Sequence, residues 1–141
     1  MLFRSDSGTI LCTDDGGATW TRQPSGTASI LNAVSFVDPN TGTAVGDGGI
    51  ILRTDDGGAT WTLQPSGTTS SLDAVSFVDA NTGTAVGDGG TILRTDNGGA
   101  SWTPQSSGTF NTLYGVSFVD ANTGTAVGEI GTILRTNTGG Q

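Results

Sequence analysis

The chain has 141 residues, 24 of them glycine, with 33% hydrophobic residues and no lysine or histidine; that composition favours strands and tight turns over helices. Five arginines against thirteen acids leave a net charge of −8, which opposes nucleic acid and anionic membrane surfaces as partners, and no run approaches membrane-spanning length. One cysteine, Cys12, and no histidine exclude an intrachain disulfide and the usual zinc-ligand patterns, so no metal and no cofactor is expected.

A block of 41 residues recurs: Trp20, Trp61 and Trp102 keep that spacing, as do Phe36, Phe77 and Phe118. The blocks Ala33 to Asp73 and Ala74 to Tyr114 agree at 31 of 41 positions. A period near this length marks an array in which each small sheet stacks on its neighbours to bury both faces. In chain order the repeat predicts one repeat domain: a partial unit over 1–30 holding strands two to four, complete units over 31–71 and 72–112, and a partial unit over 113–141 holding strands one to three. The opening Met1-Leu2-Phe3-Arg4-Ser5 has no apolar stretch long enough for a signal peptide.

The unit from Leu72 to Gln105 resolves into four strands. Leu72 to Val78 is the most apolar, with Val75 and Phe77 on one face and Ala74, Ser76 and Val78 on the other, as an innermost strand buried on both sides requires. Asp79-Ala80-Asn81-Thr82-Gly83 reads as a hairpin loop, because Asp and Asn bond their own backbone there and Gly tolerates positive φ. Thr84 to Gly87 is the second strand, Asp88-Gly89-Gly90 a turn, and Thr91 to Thr95 the third strand; Asp96-Asn97-Gly98-Gly99 leads to a fourth around Trp102. Four antiparallel strands per unit, with small residues in the second and Trp on the outermost, predict all-β architecture of propeller-type blades, about three and a half per chain.

Thr13-Asp14-Asp15-Gly16-Gly17-Ala18-Thr19-Trp20 fits the Asp-box pattern of sialidase-type propellers, and recurs as Thr54 to Trp61 and, with Asn97 for Asp and Ser101 for Thr, as Thr95 to Trp102. Asp15, Gly17, Trp20, Asp56, Gly58, Trp61, Asn97, Gly99 and Trp102 are expected to be structural: the carboxylate or amide accepts backbone N–H bonds across the turn, Gly permits positive φ, and Trp anchors by packing. The longer unit, Val-Ser-Phe-Val-Asp, Asn-Thr-Gly-Thr-Ala-Val-Gly, Gly-Thr-Ile-Leu-Arg-Thr and the Asp box, resembles the repeats of the photosystem II assembly and stability factor family. That resemblance implies a non-enzymatic scaffold or protein-binding propeller, usually of seven blades, in a lumenal, periplasmic or extracellular setting. It also implies an arginine-rich binding surface, for which Arg53, Arg94 and Arg135 are the periodic basic residues available. Their own chemistry offers a second reading: repeat equivalence points them outward around a ring, each with an acceptor at a blade edge, Asp47, Asp88 or an Asp-box acid.

A sialidase-like glycosidase, or a carbohydrate-binding propeller, is the alternative from another class. It would need converging arginines, a tyrosine nucleophile with a partner acid, and a separate general acid; the supply is one Tyr, Tyr114, and one Glu, Glu129. No enzymatic activity is expected. Phe110, Asn111 and Tyr114 break the repeat where earlier copies hold small or polar residues, so Phe110 and Tyr114 are candidates for recognising a protein, peptide or glycan.

In phase with the repeat the chain supplies fourteen strands, short of a closed propeller. An apolar sheet face left wet at each end would forgo on the order of 10 kcal/mol for about five large side chains. Head-to-tail association of the chain with itself is therefore expected, a closed dimer in preference to an open fibre. A segment of a longer propeller fits the same pattern.

Overall fold

The alternation of small and β-branched residues, broken by Asn-Thr-Gly and Asp-Gly-Gly turns, folds as antiparallel hairpins. A computed structural model describes residues 6–141. Thirteen strands lie among them: β1 (Ile10–Cys12), β2 (Thr21–Gln23), β3 (Leu31–Phe36), β4 (Gly42–Gly46), β5 (Ile51–Thr54), β6 (Thr62–Gln64), β7 (Leu72–Phe77), β8 (Gly83–Gly87), β9 (Ile92–Thr95), β10 (Thr103–Gln105), β11 (Leu113–Phe118), β12 (Gly124–Gly128) and β13 (Ile133–Thr136). They form four sheets in sequence order: β1-β2, β3-β4-β5-β6, β7-β8-β9-β10 and β11-β12-β13. The two middle sheets are the four-stranded blades expected, and the first and last hold two and three strands among the described residues. The second-strand position of the first unit falls on residues 1–5, outside the described residues, as does the reading of Met1 to Ser5.

Two local details differ from expectation. The outermost strand begins after the tryptophan, at Thr103 rather than around Trp102, because the indole folds over the sheet to meet Phe77 edge-on, ring centroids 5.9 Å apart at 83°. The innermost strand is also not a plain alternation. Its register slips between Leu72 and Ala74, as between Leu31 and Ala33 and between Leu113 and Gly115, and this bulge turns Leu31, Leu72 and Leu113 fully into the core.

The core sits between sheets. Val75, Ala85, Leu93 and Trp102 pack on Val45 and Ile51 of the preceding sheet. On the other side Ala74, Val86 and Ile92 pack on Leu113, Val116, Ala126 and Leu134 of the following one. Ile10 meets Val34, Ala44, Leu52 and Trp61 in the same way. The second strand must begin with glycine, since a Cβ on Gly42, Gly83 or Gly124 would lie 2.5–2.7 Å from the ring of Phe36, Phe77 or Phe118. The Phe36 and Phe77 rings thereby lie across their sheets and reach Trp61 and Trp102.

Polar stitches join the sheets as well. Phe77 N donates to Ser35 Oγ and Phe118 N to Ser76 Oγ, both at 3.2 Å. Gln23, Gln64 and Gln105 each donate through Nε2 to the carbonyl of Gly57, Gly98 or Gly139 in the next sheet, at 3.1–3.3 Å.

Candidate functional site

In each Asp box the polar side chains bond the turn's own backbone and hydroxyls. Asp56 Oδ1 accepts Thr60 N at 2.9 Å, its Oδ2 accepts the Thr60 hydroxyl, and Thr54 Oγ1 donates to it at 2.8 Å while accepting Gly58 N. The Thr60 hydroxyl, with the Thr60 N–H and Thr54 hydroxyl, holds the Asp56 carboxyl down to about 2. The Thr19 N–H, with the Thr19 and Thr13 hydroxyls, does the same for Asp15, also to about 2. In the third box Asn97 Oδ1 accepts Ser101 N and its Nδ2 donates to Ser101 Oγ, so the paired exchange of Asp for Asn and Thr for Ser preserves the turn. Gly17, Gly58 and Gly99 sit at φ 86–93°. Trp61 and Trp102 pack edge-on against Phe36 and Phe77, whereas Trp20 is exposed on the first sheet.

The arginines do not point outward around a ring. Arg53 lies over the Phe77 ring of the next sheet and Arg94 over Phe118, each guanidinium carbon 5.9 Å from the centroid. Arg53 Nε donates to Asp55 Oδ1 at 3.0 Å, and Arg94 Nη2 to Asp96 Oδ1 at 3.1 Å. The acceptors are Asp-box acids, and the guanidinium is drawn into the cleft because it finds there both a carboxylate and an aromatic face. Arg135, on the last sheet, is exposed.

The residues that break the repeat gather at one edge of the last sheet. In the second unit Asn32 Nδ2 donates to Asp47 Oδ1 at 2.9 Å and to Leu72 O of the next sheet at 3.1 Å, so this position faces along the stack. In the last unit it is Tyr114, exposed, with its hydroxyl donating to Glu129 Oε1 at 2.9 Å. That bond, reinforced by the negative charges of Glu129, Asp73 and Asp88, raises the phenol pKa. Thr112 N donates to Glu129 Oε2, Glu129 N returns a bond to Thr112 O, and Asn111 Nδ2 donates to Thr132 Oγ1. These bonds tie the Phe110 loop to the Glu129–Gly131 turn.

One member of this edge escaped the sequence reading. Ile130 stands where the other turns have Gly48 and Gly89, and it keeps their left-handed conformation, φ 54° against 69° and 63°. It is 92% exposed, and Phe110, on the loop bonded to this turn, 93%. The signal was present in the sequence as Glu-Ile-Gly at 129–131 where the earlier turns read Asp-Gly-Gly. Among the described residues no group of three or more acids or cysteines is placed to hold a metal ion.

Stacked, sequentially ordered, four-stranded antiparallel sheets with an Asp box on each outer hairpin make this a segment of a β-propeller. The rings and arginines that lock one blade to the next recur with the repeat. The chain belongs to the family of the photosynthesis system II assembly factor YCF48, whose family model matches residues 18–106. A solved structure of YCF48 from Cyanidioschyzon merolae is 29% identical with a TM-score of 0.77, over 87% of this chain and 41% of that one. A structure of YCF48 bound to D1 peptide is 25% identical with a TM-score of 0.71, over 80% of this chain and 39% of that one. The chain thus spans about two fifths of the length of these relatives. No curated protein sequence matches it.

Proposed function

We propose that this chain is a non-enzymatic β-propeller module that binds a polypeptide partner through the edge formed by Phe110, Tyr114 and Ile130. The observation that carries the reading is Ile130: a β-branched residue held at φ 54° with 92% of its surface in solvent. Left-handed backbone at such a residue costs about 1–3 kcal/mol, and burial within this chain returns nothing for it. A strained, exposed apolar side chain on the same edge as two exposed aromatics is the composition of a recognition surface. The relative solved with a D1 peptide supports a polypeptide as the class of partner.

A sialidase-like reaction is disfavoured at the same place. Tyr114 and Glu129 do form a pair, but the charges acting on the phenol are all carboxylates, and they raise its pKa. An acidic sugar would be repelled there, and Arg53 and Arg94 are occupied in separate clefts. The D1 peptide, titrated onto the chain by calorimetry, is the direct test. Binding that drops about tenfold or more in Phe110→Ser and Ile130→Gly, as expected of central interface anchors, supports the reading; no binding, or binding indifferent to both, overturns it.

We propose also that the outward faces of the first and last sheets are covered by further blades of this repeat, supplied in a solution of this chain by a second copy, head to tail. Leu11 and Trp20 on the first sheet, and Val127 and Ile133 on the last, are exposed at positions whose repeat equivalents are buried or, for Trp61 and Ile92, half-buried. Mass by light scattering over a concentration series decides it. A discrete dimer supports a closed ring, growth to large species supports an open fibre, and a monomer throughout refutes association; Trp20→Arg and Ile133→Arg should each return an assembled chain to monomer.

A further inference from the structure

Three clefts separate the four sheets, and two of them are filled by an arginine. In the second cleft the Arg53 guanidinium lies over Phe77 and its Nε bonds Asp55 at 3.0 Å; in the third, Arg94 lies over Phe118 and bonds Asp96 at 3.1 Å. Both guanidinium groups abut the Gly-Gly turn of the next sheet: a Cβ on Gly98, in its Asp box, would stand 3.7 Å from Arg53 Nη2, and one on Gly139, in the equivalent turn at 136–140, would stand 3.3 Å from Arg94 Nη1. A planar cation stacked on a ring and bonded to a carboxylate is an arrangement that lysine or a neutral group reproduces poorly.

In the first cleft the arginine position is Cys12. Its side chain ends at Sγ, whose one contact of note is with the Thr13 carbonyl at 3.9 Å. Everything that would receive a guanidinium is nonetheless in place. Phe36 keeps its edge-on contact with Trp61, 6.1 Å and 87°, as Phe77 does with Trp102, but the Phe36 ring is exposed. Asp14 occupies the position of Asp55 and Asp96. A cavity of about 690 Å³ opens there, lined by Cys12, Asp14, Val34, Phe36, Asp38 and Trp61. Gly57, the counterpart of Gly98, faces the Pro39 carbonyl and Asn40 rather than a guanidinium.

We propose that the first cleft is a receptor for an arginine side chain of a polypeptide partner, its guanidinium stacking on Phe36 and pairing with Asp14 as Arg53 and Arg94 do within the chain. The net charge of −8 attracts such a ligand, and the apolar walls shelter the arginine stem. The proposal rests on the protein-binding reading only for the polypeptide nature of the ligand, and it uses the opposite end of the stack.

The probe is acetyl-Gly-Arg-Gly-amide, whose only charge is the guanidinium, titrated onto the intact chain while the indole N–H signals of Trp61 and Trp102 are followed by NMR. Trp61 should shift saturably and Trp102, whose cleft already holds Arg53, should not. The citrulline counterpart should bind about tenfold more weakly, as should the arginine peptide to Asp14→Asn, since each removes the charged pair. Cys12→Arg should abolish the Trp61 response by filling the cleft from within. Equal binding of arginine and citrulline peptides, equal movement of Trp102, or undiminished binding to Cys12→Arg and Asp14→Asn would each overturn the proposal. If Cys12→Arg is poorly folded, Asp14→Asn, on an exposed turn, decides alone. D1-peptide binding that is absent, or indifferent to Phe110→Ser, with an intact arginine response would sink the reading of the Phe110 edge and leave this cleft standing; D1-peptide binding that falls in Phe110→Ser with no arginine response would do the reverse.

Discussion

The two middle sheets and the two outer ones are written in nearly the same residues and live in different surroundings. Leu93 is 2% exposed and its equivalent Leu11 is 39%; Ile51 is fully buried and its equivalent Ile133 is 72% exposed. Side chains of one kind therefore contribute to stability in one sheet and remain available for association in another. In a stacked array the neighbour sets the worth of a residue, because the hydrophobic stabilisation follows area removed from water and not residue type.

The sharpest way to break that comparison is a matched pair of truncations. Leu52→Ala, within a buried cluster, is expected to cost about 2–5 kcal/mol, and Leu11→Ala less than about 1 kcal/mol, both read by urea unfolding under conditions where the chain is monomeric. Equal costs would mean that the first face is covered in solution. The next effect concerns the ring platform. Gly83→Ala places a Cβ 2.5 Å from the Phe77 ring and should cost about 1–3 kcal/mol by displacing it, with loss of the Arg53 stack visible as an upfield-shift change at the arginine side chain.

A smaller effect, of opposite sign, separates the last sheet from the middle ones. Ile130→Gly restores the residue found at 48 and 89 and should stabilise the chain by about 1 kcal/mol while weakening partner binding. A destabilised variant would mean that Ile130 is packed in solution rather than offered to a partner. The smallest effect distinguishes the boxes by acid. The Asp56 carboxyl titrates near 2 in the folded chain against 3.8 ordinarily, so its contribution is present above 3.8 and is lost as pH falls toward 2. Asp15 behaves alike, and Asp38, Asp79 and Asp120, bonded by the N–H groups two and three residues on, are shifted in the same direction. Asp56→Asn paired with Thr60→Ser, copying the third box, should flatten the acid limb of the thermal midpoint; an unchanged limb would place the acid sensitivity elsewhere.

Much of this was legible in the residues. The strand order, the turns and the Asp boxes are local patterns; the strand buried throughout, however, is the small-residue second one, Gly42–Gly46 and Gly83–Gly87, whereas the more apolar first strand expected to be buried on both faces is only half-buried. Phe110 and Tyr114 were visible because they depart from the repeat; Ile130 was equally visible as a departure, but its meaning depends on a positive φ and an exposed side chain that spacing does not reveal. The arginines illustrate the limit most plainly. Periodicity identified Arg53 and Arg94 and suggested Asp-box acids among their acceptors, yet their turn into the clefts depends on a ring 24 residues further along the chain, delivered by the next sheet.

By itself the sequence determined the blade: hydrophobic alternation, turn chemistry and capping carboxylates act over a few residues, and a 41-residue period repeats them. Only the tertiary structure decided which of the repeated side chains are core, which are plugs and which are left open. Those outcomes are set by contacts between sheets, and the partner side chains are delivered by the neighbouring repeat. A change as small as Cys12 for arginine therefore alters a cleft whose other wall carries no change at all.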